Sequence, residues 1–242
     1  MQAFSGIFSF LRKERQTGGI KQVNQYGKQL TEKQIRSNFH REFVGGMWDE
    51  MGLLQLNFLK QHGLKPCHHL LDVGCGALRG GVHFVRYLEP EHYYGLDINA
   101  SLIAAGKKEL EKENLTAKRP HLLVNDRFEF SRFGKTFDYA IATSVFTHLP
   151  MNHIIRCLAE IRNVLTHDAE FFASFFEAPS PAHLEPITHT PGGVQSHYDM
   201  DPFHYSFREL QWMAQIADMR ADLIGEWAHP RDQRALSFRL AE

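Results

Sequence analysis

The chain has 242 residues, of which 43% are hydrophobic and 23% charged, a composition that gives a globular domain enough apolar side chains for a core. Its formal net charge of −1 excludes the strongly basic balance of many nucleic-acid-binding proteins. Three cysteines without short paired spacing argue against a disulfide framework and favour a reducing compartment. We therefore expect a cytoplasmic protein without a nucleic-acid partner.

The polar residues 1–30, interrupted by several glycines, predict a flexible N-terminal arm. Its apolar stretch, residues 4–11, precedes a basic cluster, which is the reverse of the order in a secretory leader. This stretch is a candidate contact for a homodimer or a membrane surface, and a frayed tail or docking helix is the simpler interpretation. No run of about 18 apolar residues is present, so no membrane span is predicted.

Residues 31–65 predict a helical cap segment. Apolar side chains recur at helical spacing between Met47 and Leu59. His40 and Trp48 are candidates for substrate contact from this cap. The alternative is a helix that packs only on the outer face of the rest of the domain.

Residues 66–242 predict one α/β domain. Seven apolar segments have the length and texture of strands: residues 69–74, 93–97, 122–125, 137–143, 170–176, 222–226 and 235–240. Helical patterns lie between most of them: residues 81–88, 101–113, 151–165 and 206–218. Strands that alternate with helices and are apolar nearly throughout predict a mostly parallel, seven-stranded sheet with helices on both faces. The short connection before the final strand predicts an antiparallel hairpin and one reversed strand.

Residues 177–205 interrupt this alternation with prolines, histidines and a glycine pair. A loop of this length in a compact domain is typical of a lid, and it follows the fifth strand at the sheet edge where α/β proteins bind ligands. His197 is therefore a candidate base. Tyr198, His204 and Tyr205 are candidates for substrate contact, with a polar lid surface as the alternative.

The sequence LLDVGCGALRGG, residues 70–81, ends an apolar strand on an acid and continues in a glycine-rich bend. Gly74 and Gly76 permit unusual backbone angles, and the N–H groups that follow are expected to be open to ligand oxygens. Asp72 is expected mainly to cap backbone amides of the bend. The sixth position of a dinucleotide fingerprint is small, and Arg79 occupies it here, which argues against a pyrophosphate ligand.

Acids also stand at the ends of the next two strands. Asp97 follows the bend by about 20 residues, the position from which a carboxylate accepts hydrogen bonds from ribose hydroxyls. Ile98 beside it offers an apolar face for an adenine ring. Asp126 has the position to accept a bond from an exocyclic amine, or it simply starts a loop. The fourth strand continues through Thr143 toward His148.

Four segments in this order, LLDVGCG, YYGLDIN, VND and FDYAIATSVFTHLP, resemble the class I S-adenosylmethionine-dependent methyltransferases of the small-molecule type. The resemblance covers residues 64–242 and implies a Rossmann-like fold, S-adenosyl-L-methionine as cofactor and S-adenosyl-L-homocysteine as product. It implies that the cofactor's amino-acid end lies against Gly74, Cys75 and Gly76. The full set of cofactor-binding residues implied here is Asp72, Gly74, Cys75, Gly76, Arg79, Asp97, Ile98, Asp126, Arg127 and Thr143.

The resemblance has one departure from the family's pattern. The family's bend reads D-x-G-x-G-x-G, and its third glycine is Leu78 in this chain. Arg79 then faces either the cofactor's carboxylate or solvent. The backbone of Arg127 is implied to read the adenine edge together with Asp126.

We expect a methyltransferase that acts on an oxygen or nitrogen of a small-molecule acceptor. His148 and His197 are the candidate bases, because an acceptor hydroxyl must lose a proton. No Asn/Asp-Pro-Pro-Tyr/Phe signature follows the fourth strand, and the Cys67–His69 triplet lacks a second pair of zinc ligands, so no metal is expected. The alternatives are an NAD(P)-dependent oxidoreductase and a non-catalytic S-adenosylmethionine-binding protein.

Overall fold

The computed structural model describes residue 24 and residues 26–241 of the chain. The strands in this part are β1 Leu70–Val73, β2 Tyr93–Asp97, β3 His121–Val124, β4 Phe137–Ala142, β5 Leu165–Glu177, β6 Ile187–His189, β7 Val194–Ser196, β8 His204–Tyr205, β9 Met219–Gly225 and β10 Arg234–Leu240. The α-helices are α1 Glu32–Arg36, α2 Phe39–Phe43, α3 Trp48–Gln61, α4 Gly81–Tyr87, α5 Ala100–Lys112, α6 Met151–Ile161 and α7 Phe207–Ile216.

The main sheet has the strand order β3-β2-β1-β4-β5-β10-β9. All neighbouring strands from β3 to β5 are parallel, and β10 is antiparallel to both β5 and β9. The short β8 adds a parallel pairing at the end of β5. The predicted mostly parallel sheet of seven strands, with one reversed strand and a final hairpin, is confirmed.

The sheet is buried on both faces because its apolar strands alternate their side chains between two clusters. Phe171 packs in the cluster that includes residues of α6 and α7, whereas the adjacent Phe172 packs in the cluster that includes residues of α3, α4 and α5. Helix α6 shows the matching periodicity, since its buried residues are Ile154, Cys157, Leu158 and Ile161. These layers form the Rossmann-like fold.

The predicted helix over residues 151–165 is too long and needs correction. Helix α6 ends at Ile161, Arg162–Val164 form a 3-10 turn, and Leu165 already pairs with Phe137 as the first residue of β5. The apolar residues after Ile161 fit a helix and a strand equally well. Pairing with β4 decides between them.

The cap predicted over residues 31–65 contains three helices. The helical conformation is interrupted between α1 and α2 at Asn38, which has a φ of 59°. The helical conformation is interrupted again before α3, where Gly45, Gly46 and Met47 have φ values of 101°, 65° and 48°. Helical periodicity continues across these breaks, but the left-handed residues turn the chain between them.

The segment predicted as a lid, residues 177–205, contains regular structure of its own. Strands β6 and β7 form an antiparallel hairpin, and β8 joins the end of β5. Phe203 N–H donates to the carbonyl of Thr147 at 2.7 Å, which attaches the segment to the chain after β4. In the described part of the chain, no helix is long and apolar enough to cross a membrane.

Leu78 explains how the chain tolerates its departure from the three-glycine bend. It keeps a left-handed backbone with a φ of 66°, and its side chain is completely buried. A Cβ on Gly81 would lie 2.8 Å from Leu78 Cδ2, and one on Gly106 would lie 2.6 Å from Leu78 Cγ. Glycines on α4 and α5 therefore make the space that Leu78 fills.

We expect Gly106→Ala to lower the free energy of unfolding by up to about 2 kcal/mol. Overpacking against Leu78 costs about 1–3 kcal/mol, and the better helix propensity of alanine offsets about 1 kcal/mol of it. Urea unfolding measures the change. The double variant Leu78→Ala/Gly106→Ala is the control, because removing the clash makes its loss smaller than the sum of the single losses. Additive losses would contradict this packing.

Candidate active site

A cavity of about 320 Å³ lies at the carboxyl ends of β1, β2 and β4, and its volume is that of a small-molecule site. The cavity receives side chains from the glycine bend, the strand ends and the 3-10 turn Phe146–His148. Of the predicted cofactor-binding residues, all but Arg127 line it: Asp72, Gly74, Cys75, Gly76, Arg79, Asp97, Ile98, Asp126 and Thr143. A common edge of the sheet therefore brings together residues that are far apart in sequence.

Two glycines of the bend, Gly74 and Gly76, form a part of the cavity wall that has no side chains. Gly74 and Gly76 have φ values of 68° and 54°, which favour glycine, and a Cβ on Gly74 would lie 2.6 Å from Val145 Cγ2. The expected open N–H groups are not found at residues 74–76. Gly74 and Cys75 donate to the carbonyl of Leu96, because the β1–β2 ladder continues into the bend.

The Asp97 carboxylate caps the bend, a role that the sequence analysis gave to Asp72. Gly76 N–H donates to Asp97 Oδ2 at 2.8 Å, and Asn99 N–H donates to Oδ1 at 2.8 Å. Asp72 instead accepts a hydrogen bond from the Tyr93 hydroxyl at 2.6 Å. The prediction for Asp72 is corrected, because its strand position points its carboxylate toward β2 rather than along the bend.

Burial shifts the acidity of both carboxyl groups. It raises the pKa of Asp72 to about 7 and that of Asp97 to about 6. Hydrogen bonds from Gly76 and Asn99 partly oppose the shift at Asp97. Neither group forms an ion pair within 4.0 Å among the described residues, so a cationic ligand in the cavity would favour their ionised forms.

The end of β2 supplies an apolar surface beside Asp97. Ile98 is 50% exposed, a large fraction for an isoleucine, and it lines the cavity. Asp126 lines the same side of the cavity. The backbone N–H of Arg127 donates to Asn125 Oδ1 at 2.9 Å, as part of an Asx turn. This N–H was predicted to bind the adenine edge, and it already has an acceptor within the protein.

Thr143 and Arg79 provide polar groups on the opposite side of the bend. The buried Thr143 Oγ1 has no hydrogen-bond partner among the described residues, although buried hydroxyl groups are normally bonded. Arg79 donates through Nη1 to the carbonyls of Val44 and Gly46 at 3.1 and 3.0 Å. Arg79 is thus held against the cap, not turned to open solvent.

The candidate base His148 lines the cavity and is paired with an acid from the lid. Its Nδ1 lies 2.5 Å from Asp201 Oδ1, and its ring lies 4.5 Å from the ring of Tyr26, measured between centroids. A carboxylate only accepts hydrogen bonds, so Nδ1 carries the proton and the neutral imidazole presents Nε2 as an acceptor. Asp201 therefore fixes the orientation of an imidazole that lines the cavity.

The predicted substrate contacts from the cap do not line the cavity. His40 Nε2 is 2.8 Å from Glu109 Oε1 and is almost fully buried. The guanidinium of Arg41 lies over the Trp48 ring at 4.7 Å. These predictions need correction, because α2 and the start of α3 pack on α5.

The lid candidates also lie outside the cavity lining. His204 bonds to Ser196 Oγ and to the carbonyl of His183, and Tyr205 donates to the carbonyl of Leu149. His197 and Tyr198 do not line the cavity either. The correction has a physical reason for His204 and Tyr205, since their polar groups already bond to other groups of the protein.

The segment before α1 is the part of the site that the sequence analysis missed. Asn24, Tyr26 and Gly27 line the cavity, and Asn24 Nδ2 donates to the His148 carbonyl at 2.8 Å. Asn99 Nδ2 donates to the carbonyls of Tyr26 and Lys28, which holds the segment across the end of β2. No periodic pattern marks such a segment. Within the described part of the chain, no group of metal-ligating side chains is found.

Comparison with known proteins supports the assignment of this domain. Residues 71–171 match a family model described as a methyltransferase domain. One similar structure is that of an S-adenosylmethionine-dependent methyltransferase from Clostridium acetobutylicum ATCC 824. It is 7% identical, with a TM-score of 0.64 and coverage of 88% of this chain and 100% of that chain. The CcbJ methyltransferase from Streptomyces caelestis is 13% identical, with a TM-score of 0.64 and coverage of 92% and 100%.

A third similar structure is that of magnesium protoporphyrin IX methyltransferase from Synechocystis PCC 6803 with bound SAM. It is 14% identical, with a TM-score of 0.56 and coverage of 98% of this chain and 92% of that chain. At these identities the likeness shows the fold. Residues 71–171 thus resemble a methyltransferase domain, as predicted from the sequence, and the predicted Rossmann-like fold is confirmed.

We expect Asp72→Asn to change the pH dependence of stability. The raised pKa of Asp72 favours its neutral form in the folded state, so its contribution to stability falls as pH rises from about 4 to about 7. The variant should gain stability relative to wild type over this window, by up to about 1.4 kcal/mol per pH unit, and then stay constant. Urea unfolding between pH 4 and 8 measures the difference.

Asp168→Asn is the matched control, because the Asp168 side chain is 98% exposed and lies outside the cavity lining. Its difference from wild type should not vary in this way. A flat difference for Asp72→Asn would contradict the burial of an unpaired carboxyl group.

Proposed function

We propose that this protein transfers a methyl group from S-adenosyl-L-methionine to an oxygen or nitrogen of a small-molecule acceptor and releases S-adenosyl-L-homocysteine. The observation that carries the proposal is the combination of the glycine wall of the bend with Asp97 and Ile98 on one cavity. The matching methyltransferase family model supports the reaction class. The size of the cavity supports a small acceptor.

The described residues fit this cofactor. The Asp97 carboxylate has lone pairs left to accept bonds from ribose hydroxyls, and the exposed Ile98 side chain offers a surface for adenine, with Asp126 at its edge. The amino-acid end would lie along the bend, where Thr143 Oγ1 needs a partner. When bound, S-adenosyl-L-methionine supplies a methyl group activated by the positive sulfur.

His148 is proposed as the general base for a protonated acceptor. Asp201 holds its Nδ1–H and so directs the basic Nε2 away from itself. Tyr26 packs on the imidazole and, with Asn24, covers this side of the cavity from water. His197, the other candidate base, does not line the cavity, which favours His148.

A pyrophosphate-containing cofactor fits this cavity less well. Two buried carboxylates, Asp72 and Asp97, flank the bend, and the N–H groups of residues 74–76 already have protein acceptors. A pyrophosphate would meet negative charge and lack the N–H donors that normally bind it. The oxidoreductase alternative is therefore not favoured.

We further propose a cytoplasmic protein without a nucleic-acid partner. The net charge of −1 supports the second point, and three free cysteines, Cys67, Cys75 and Cys157, support a reducing compartment. The candidate dimer contact, residues 4–11, lies outside the described residues. The homodimer thus stays a prediction from the sequence, as does the flexible arm over residues 1–30.

We expect Asp97→Ala to weaken binding of S-adenosyl-L-homocysteine by at least about 100-fold. Hydrogen bonds to a charged group contribute about 1.5–3 kcal/mol each, and two ribose hydroxyls lose their acceptor. Isothermal titration measures the dissociation constant, with Asp168→Ala as the surface control and NADH as the competing ligand. Unchanged binding in Asp97→Ala, or preference for NADH, would reject the proposed cofactor site.

We expect His148→Ala to lower kcat for a hydroxyl acceptor by about 10²–10⁴-fold, the usual range for loss of a general base. Asp201→Asn should lower kcat less and shift its pH profile, because Nε2 is no longer held as the acceptor. Release of S-adenosyl-L-homocysteine in a screen of phenols, alcohols and amines measures turnover. Both variants should keep wild-type affinity for S-adenosyl-L-homocysteine. Full activity of His148→Ala with a hydroxyl acceptor would exclude His148 as the base.

A further inference from the structure

Two arginine side chains are held side by side by one turn of the cap. Arg79 donates to the carbonyls of Val44 and Gly46, and Arg231 Nη2 donates to the intervening Gly45 carbonyl at 2.5 Å. Gly45 has a φ of 101°, and a Cβ on it would lie 2.8 Å from Arg231 Nη1, so a side chain at this position would displace the guanidinium group. The two guanidinium groups thus share one surface of three consecutive carbonyls.

This pair of positive charges has no carboxylate partner. Among the described residues, other partly buried arginines such as Arg41 and Arg234 form ion pairs, whereas Arg79 and Arg231 form none within 4.0 Å. Burial and the neighbouring Arg231 lower the pKa of Arg79 to about 10. Two adjacent cations held only by neutral carbonyls form a place where an anion is favoured.

His229 adds a hydrogen-bond donor to the same place. Its Nδ1 accepts a bond from the N–H of Arg231 at 3.2 Å, so the proton of the neutral ring lies on Nε2. The side chain is buried, with 7% exposure, and Nε2 has no partner in the described part of the chain. Burial, and after it the two arginines, lower the pKa of His229 to about 3, which keeps the ring neutral and Nε2–H a donor.

His229 and Arg231 approach the cavity from the side of β5 and β10. His229 and Arg231 lie between β9 and β10, and the pairing of Arg234 with Phe175 puts this connection at the carboxyl edge of β5. Ser144, which lines the cavity, donates to Gln233 Oε1 at 3.0 Å. Strand β10 lies four places from β2 in the sheet, so the axes of these two strands are roughly 19 Å apart.

The lid hairpin closes the other side of the cluster. A Cβ on Gly192 would lie 2.8 Å from Arg231 Cγ, so the hairpin packs directly on this side chain. Arg79 lines the cavity itself, and Val44 beside it does so too. Arg231 and His229 do not line the cavity themselves, so the cluster lies between the cavity and the lid hairpin and reaches the cavity through Arg79.

We propose that Arg231, His229 and Arg79 form an anion site that binds a carboxylate or phosphate group of the methyl acceptor, which makes the acceptor an acid. This inference rests on the proposed methyltransferase function. The carboxylate of the cofactor is the other source of the same chemistry, and the experiment separates the two sources.

The test uses the whole protein saturated with S-adenosyl-L-homocysteine and titrated with inorganic phosphate at constant ionic strength. Isothermal titration or NMR follows binding. Wild type should bind phosphate, and Arg231→Gln should weaken it at least ten-fold, whereas Arg231→Lys should keep part of the affinity. Arg208→Gln is the matched control, because Arg208 is exposed and lies outside the cavity lining.

The cofactor arm compares S-adenosyl-L-homocysteine with 5′-methylthioadenosine, which lacks the carboxylate. Equal affinities of wild type and Arg231→Gln for both nucleosides support an acceptor site and show that the variant is folded. Weaker binding of S-adenosyl-L-homocysteine alone would assign Arg231 to the cofactor's carboxylate and overturn the proposal. Phosphate binding that is absent from wild type, or unchanged in Arg231→Gln, would also overturn it.

If the proposed function is wrong, the titrations give a different result. If wild type binds no S-adenosyl-L-homocysteine, the cofactor assignment fails, and phosphate is titrated into the free protein instead. Loss of that binding in Arg231→Gln but not in Arg208→Gln would still establish the anion site, though not its role in methyl transfer. Equal binding in both variants would reject it.

Discussion

The cavity depends on one buried carboxylate. Asp97 binds the Gly76 N–H through one oxygen and the Asn99 N–H through the other, and so joins the glycine bend to the start of α5. Asn99 then caps α5 through its side-chain oxygen and holds the carbonyls of Tyr26 and Lys28 through its side-chain nitrogen. The bend, the helix and the segment before α1 are thus positioned through two adjacent residues at the tip of β2.

The charges around the cavity are only partly satisfied by the protein itself. Among the described residues, the buried Asp72 and Asp97 form no ion pair within 4.0 Å, and neither do the adjacent Arg79 and Arg231. Such groups lower the stability of a fold unless a ligand completes them. Their separation, carboxylates at the bend and arginines toward the cap and lid, matches a cavity that binds a positively charged cofactor beside a negatively charged acceptor.

Local patterns predicted a large part of this architecture. Apolar strands alternating with amphipathic helices indicated the parallel sheet, and the bend and the strand-end acids indicated its ligand edge. The roles of single groups were less predictable. Asp72 and Asp97 stand on neighbouring strands, and which carboxylate caps the bend depends on the β1–β2 register, where Asp72 lies beside Gly95. The same ladder uses the N–H groups of Gly74 and Cys75.

The sequence by itself determined the order of strands and helices, the glycine bend and the positions of Asp97, Ile98 and His148, because periodicity and strand ends are properties of contiguous residues. Only the tertiary structure decided the partners of these groups. Asp201 is 53 positions from His148, Asn24 is 124 positions from it, and Arg231 is 186 positions from Gly45. These contacts join irregular segments, whose paths are set by packing against the sheet and not by any repeating pattern of their own.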